Sequence, residues 1–160
     1  VNPAIDADAI IARLADLRAD DPPTHGGRVL SYVYDSGLAE LDEVARGAIA
    51  QVLPVNGLDP TTFGSVGVLE SELVGFVREL LHGDADVVGS ATSGGTESCL
   101  LAVKTARDVW RQAHPEGRPR LLAPTTVHAA FQKAAAYFDL TLDLVPVASD
   151  GTVAAADVVA

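Results

Sequence analysis

Asp86-Val-Val-Gly-Ser-Ala-Thr-Ser-Gly-Gly-Thr-Glu-Ser-Cys-Leu-Leu-Ala-Val-Lys-Thr-Ala-Arg-Asp-Val-Trp-Arg111 decides how the rest of the chain is read. It has the pattern of a short strand (86–91), a small-residue turn and a helix (96–112). Cys99, Ala102, Val103, Ala106, Val109 and Trp110 fall on one helical face, which predicts that this face is buried. The turn is Thr92-Ser93-Gly94-Gly95-Thr96. Paired glycines let the backbone approach a ligand closely and reach φ > 0. Ser93 and Thr96 add hydroxyl donors, and the following helix points its unpaired N–H groups and positive dipole end at the turn. This is a seat for a phosphate or another anion. The same residues also suit a plain tight connection with Ser or Thr as the N-cap.

Two nucleotide motifs fail at this turn. Gly89 and Gly94 have the spacing of a P-loop, but Gly95 stands where that loop needs lysine. No Gly-x-Gly-x-x-Gly opens the helix, so the dinucleotide fingerprint is absent as well. The turn therefore suits one phosphate monoester better than a nucleotide.

Working outward, the residues before Asp86 read as helices and loops. Asp6 or Asp8 can cap a helix over 6–19 with an Ile10, Ile11, Leu14, Leu17 stripe, which Asp21-Pro22-Pro23 ends. His25-Gly26-Gly27 continues the loop, and 29–34 reads as a short strand or an extended segment. A second helix is predicted from Leu38 to Leu53 with Leu41, Val44, Ala48 and Val52 inward. A third is predicted over 67–82, carried by Leu69, Leu73, Val77 and Leu80. After the turn come strand 120–123, helix 126–138, strand 141–147 and a helix beginning at 153. Alternating strands and helices predict a parallel α/β sheet. His128 falls at the start of its helix, beyond a strand end, where ligands gather in parallel sheets. The seat at Gly94-Gly95 also follows an expected strand, so both should open onto one sheet edge.

Composition narrows the classes. The chain has 160 residues, is 48% hydrophobic and carries a net charge of −11, from 11 basic and 22 acidic residues. That is enough for a packed core, and it disfavours nucleic-acid binding. One cysteine, Cys99, excludes an internal disulfide framework, and its helical position fits packing better than nucleophilic chemistry. No long apolar run or basic-led leader is present, so we expect a soluble cytoplasmic protein without a membrane segment. No metal site is expected. The pattern stops inside the last helix, and three strands make a thin sheet. We expect the N-terminal part of a longer protein.

Thr92-Ser-Gly-Gly-Thr-Glu-Ser98 with Lys104-x-x-Arg107-Asp108, and His128-Ala-Ala-Phe-x-Lys-Ala-Ala135, resemble the group II pyridoxal-phosphate decarboxylases, in the branch containing sphingosine-1-phosphate lyase. Asn56-x-x-x-Pro60-x-x-Phe63 and Glu70 to Val74 are similar to the same family. The resemblance runs from about Gly27 onward. It implies the α/β fold of the type I aminotransferase-like enzymes, with a mostly parallel large-domain sheet that is incomplete here. Residues 1–60 would be an N-terminal helical segment and loop, and 61–160 the first part of the cofactor-binding large domain.

The resemblance also implies roles. Ser93, Gly94, Gly95 and Thr96 would hold the phosphate of pyridoxal 5'-phosphate, and His128 would stack on its pyridine ring. Tyr34 and Asn56 would lie near the substrate of a homodimer with shared active sites. The Schiff-base lysine and the pyridine-pairing acid lie later in the family's chains. Lys104 and Lys133 match neither position and read as solvated helix lysines, so residues 1–160 alone should not complete catalysis. One departure concerns the substrate: the lyase branch has histidine three residues after the asparagine, and this chain has Asp59. A carboxylate there would repel a phosphorylated substrate, which favours amino-acid decarboxylation over an aldehyde lyase reaction. Asp59 before Pro60 also suits a simple turn. A non-catalytic phosphate-binding or interaction module is the alternative of another class.

Overall fold

The computed structural model describes residues 6–159. The chain divides into two compact units, Val1–Val66 and Gly67–Ala160.

The first unit holds α1 (Ala7–Leu17) and α2 (Ala39–Val52). Asp6 caps α1 by accepting the Ala9 amide at 2.9 Å, satisfying one of the orphan donors of the first turn. The loop between the helices is built on Asp35, whose carboxylate accepts the amides of Gly26 at 2.8 Å and Gly37 at 3.0 Å. Both glycines adopt φ near +60 to +90°, as does Ser31 at φ 74°. This compact winding replaces the strand or extended segment expected over 29–34, where turns predominate. The inward faces expected for the first helices are not buried. Ile11 of α1 is 65% exposed and Val44 of α2 is 66% exposed, because no described residue packs over those stripes.

α3 (Gly64–Leu80) begins at the junction and runs into the second unit. Its end is a Schellman arrangement: His82 takes φ 58°, its amide donates to the Glu79 carbonyl, and the Gly83 amide donates back to Arg78 at 2.8 Å. The stripe of α3 is also open, with Leu73 53% exposed. The segment 86–91 is not a strand. It has no ladder partner among the described residues, and the Ala91 amide instead donates to Glu70 of α3 at 2.8 Å. A strand needs a neighbouring ladder, which an apolar run does not supply by itself.

α4 (Gly95–Ala113), β1 (Arg120–Pro124), α5 (Ala129–Tyr137), β2 (Thr141–Val145) and α6 (Ala155–Val159) follow. Among the described residues the sheet has two strands where three were expected, and they pair in parallel from Arg120 opposite Thr141 to Pro124 opposite Val145. α5 is the crossover between them. Its alanines Ala130, Ala134 and Ala135 are buried, and small side chains let α5 approach α4 closely. The core is Val103 of α4 with Ala134, Ala135 and Leu140, flanked by Leu100, Leu121, Phe131, Phe138 and Leu142. Val103 behaves as the helical spacing requires, but Val109, expected on the same buried face, is 61% exposed. Asp139 closes α5 at φ 57°, where the Leu140 amide donates to the Ala135 carbonyl at 2.9 Å and Arg118 pairs with its carboxylate at 3.1 Å.

Candidate functional site

The turn before α4 is stitched together by its own side chains. The amide and hydroxyl of Ser93 both donate to the Glu97 carboxylate at 2.6 Å. The hydroxyl, then the amide, hold that carboxyl below its ordinary range. Thr92 Oγ1 lies 2.7 Å from Ser98 Oγ and donates to the Gly94 carbonyl at 3.1 Å. The Ser98 amide closes the first helical bond onto the same carbonyl. Gly94 is the N-cap and contributes no side-chain bond. The amides of Gly95, Thr96 and Glu97 therefore sit in the first turn, where a helix offers no internal acceptor.

Above these amides the space is open. A Cβ placed on Gly94 or on Gly95 would meet no heavy atom within 4 Å. At Gly94 the backbone itself, at φ 159°, favours glycine, but neither packing nor a positive φ demands it at Gly95. A phosphate that must reach the backbone does, so the turn fits the phosphate of the cofactor implied by the resemblance.

His128 is exposed and is the N-cap of α5, where its Nδ1 accepts the Ala130 amide at 3.1 Å. That bond requires Nδ1 to carry no proton and fixes the ring's orientation. The bend that carries His128 beyond β1 is set by the Thr125 amide donating across to Val145 at 2.9 Å and the Val127 amide donating to Pro124 at 2.9 Å. The helix predicted from 126 thus begins at Ala129, after a turn at Thr125 and Thr126 and the cap at His128.

Ser93 to Thr96 and His128 lie in the second unit. Tyr34, Asn56 and Asp59 lie in the first. Tyr34 is 92% exposed. Asn56 Oδ1 accepts the Leu58 amide at 3.0 Å. Asp59 accepts the Thr61 amide at 2.8 Å and its hydroxyl at 2.7 Å, and these bonds, the hydroxyl first, lower its pKa. Asp59 thus serves its loop whatever else it does. Lys104 pairs with Asp108 at 2.7 Å on the surface of α4, Lys133 is exposed and Cys99 is half-buried. Among the described residues no group of three or more His, Cys, Asp or Glu is placed to hold a metal, and no helix is long and apolar enough to cross a membrane.

Glu97 is the residue that sequence reasoning missed at this turn. An acidic side chain at the third helical position, able to reach back over the cap, was the available signal.

No family model matches the chain. It is 40% identical over 145 residues to the sphingosine-1-phosphate lyase of Oryza sativa subsp. japonica, covering 86% of this chain and 27% of that protein. It is 28% identical over 126 residues to the L-tyrosine/L-aspartate decarboxylase of Methanocaldococcus jannaschii, covering 76% and 32%. The solved structure of a Burkholderia pseudomallei sphingosine-1-phosphate lyase superposes with a TM-score of 0.81 at 26% identity, over 99% of this chain and 38% of that one. The chain thus spans between 16% and 32% of the length of such curated relatives. The shared fold bears out the α/β, type I aminotransferase-like class expected above. By sequence and by fold, the chain belongs to the group II pyridoxal-phosphate decarboxylase family.

Proposed function

We propose that this protein is a pyridoxal-phosphate-dependent carbon–carbon lyase whose cofactor phosphate sits on the first turn of α4. The observation that carries the reading is the open space over Gly95 beside unpaired first-turn amides. Gly95 and Thr96 N–H and the Thr96 hydroxyl donate to the phosphate. Ser93, with both donors given to Glu97, keeps the turn in shape. His128, oriented by its bond to Ala130, lays its ring against the pyridine face. When bound, the cofactor supplies an electron sink for the bond broken beside the substrate amine. Tyr34 and Asn56 approach the substrate in a homodimer with shared active sites. The acidic composition and single cysteine favour the cytoplasm.

Asp59 places a negative charge in the substrate loop, which favours decarboxylation of an amino acid with a neutral or cationic side chain. The likeness to sphingosine-1-phosphate lyases favours a second reading, an aldehyde lyase acting on a phosphorylated amine. The protein loaded with pyridoxal phosphate is assayed with both substrate classes. Carbon dioxide release supports the first reading and aldehyde release the second. No turnover of either, with equal affinity for pyridoxal phosphate and phosphate-free pyridoxal, refutes both.

A further inference from the structure

A histidine in the first unit sits between two carboxylates. His25 Nδ1 lies 3.1 Å from Asp35 Oδ1, and its Nε2 lies 3.2 Å from Asp42 Oδ2 in the first turn of α2. The Nδ1 contact is a hydrogen bond and the Nε2 contact is an ion pair, whose attraction requires the ring to be protonated. We propose that protonated His25 is a latch that fastens the 25–37 loop to α2 and is released as pH rises.

The geometry says which half of the latch gives way. Asp35 is anchored independently by the Gly26 and Gly37 amides, and these bonds with His25 hold its carboxyl at about 2. Its side chain is 17% exposed, against 40% for Asp42. Among the described residues the Asp42 carboxylate has no hydrogen-bond partner, only the ion pair with His25. A neutral ring keeps its hydrogen bond to the anchored Asp35 and loses the charge that attracts Asp42. The groups facing His25 are Asp35 from the loop, and Asp42 and Arg46 from α2. Arg46 opposes the positive ring, but it is itself paired with Glu43. The Asp35 bond and the Asp42 charge raise the His25 pKa above 6.5, so the latch is closed in mild acid and opens as pH rises through that raised value. None of this depends on the cofactor reading.

The test is a nuclear magnetic resonance titration of the chain between pH 5 and 9. It follows the His25 ring nitrogens and the Asp42 side-chain carboxyl carbon. We expect a His25 midpoint above 6.5 and an Asp42 signal that shifts with the same midpoint. Asp42→Asn should lower the His25 midpoint while the Gly26 and Gly37 amide signals stay in place. A midpoint at or below 6.5, an Asp42 signal that ignores it, or an unmoved midpoint in Asp42→Asn overturns the latch. The co-titration in the unaltered chain decides the matter even where the variant fails to fold.

Discussion

Gly95→Ala separates a ligand seat from a structural turn, because the two accounts predict opposite signs. Gly95 is the first residue of α4, and its φ is not among the positive ones. The added methyl meets nothing within 4 Å. Alanine therefore enters a conformation it tolerates, into empty space, and restricts the unfolded chain. Stability should rise by about 0.4–1 kcal/mol. For a chain of this size that is an increase in Tm of about 1–4 °C. If the cofactor phosphate sits on this turn as proposed, the same methyl would crowd its approach to the first-turn amides. Losing one hydrogen bond to a charged acceptor costs about 1.5–3 kcal/mol, or roughly 10- to 150-fold in affinity.

The assay pairs calorimetric unfolding with titration of pyridoxal phosphate by absorbance, and uses pyridoxal as the control that lacks the phosphate. A more stable variant with weakened binding of pyridoxal phosphate, and unchanged binding of pyridoxal, is the expected pair of results. A destabilised variant would mean that the fold itself needs glycine at this position. Undiminished affinity for pyridoxal phosphate would remove the first turn of α4 as its seat.

Three further outcomes follow from the same structure. His128→Asn should keep the cap of α5, since an asparagine oxygen also accepts the Ala130 amide, and yet weaken cofactor retention through loss of the ring; His128→Ala should in addition cost about 0.5–2 kcal/mol in urea unfolding. Asp35, with its pKa lowered to about 2 from 3.8, contributes stability that is present above 3.8 and lost as pH falls toward 2, so acid unfolding of Asp35→Asn should lack that part of the slope. Ala134→Leu, at a fully buried position between α4 and α5, should overpack the core and lower stability by about 1–3 kcal/mol, measured by urea denaturation.

The helices were legible because their signals are local. Asp6 before an Ile10, Ile11, Leu14, Leu17 stripe is enough to place α1, and the Thr92–Ser98 turn is enough to place the start of α4. What covers a stripe is not local, and periodicity is silent about it. Leu41 and Leu73 keep the right spacing and remain exposed, while Val103, on an equally regular helix, is buried because α5 lies against it. The misread strand at 86–91 fails for the same reason. Its apolar run is real, but pairing belongs to two segments, and the described residues place α3, not a strand, beside it.

The candidate site divides along this line as well. The glycines and Thr96 are contiguous and were visible as a motif. Glu97 was not, because its part is to reach backward and take the Ser93 donors. That contact changes what the motif means. With Ser93 occupied, a phosphate is left with the backbone of Gly95 and Thr96 and one hydroxyl, close to a carboxylate held ionised by its bonds to Ser93. Backbone donors cannot be removed by substitution, so the affinity of the seat depends on the access that glycine provides and on the charge beside it. Glu97→Gln keeps an acceptor for Ser93 and removes only that charge. It should therefore tighten binding of pyridoxal phosphate, and leave pyridoxal unaffected, in the same titration. Weaker binding would show that the Ser93–Glu97 bond matters to the seat through its strength, and the charge argument would fall.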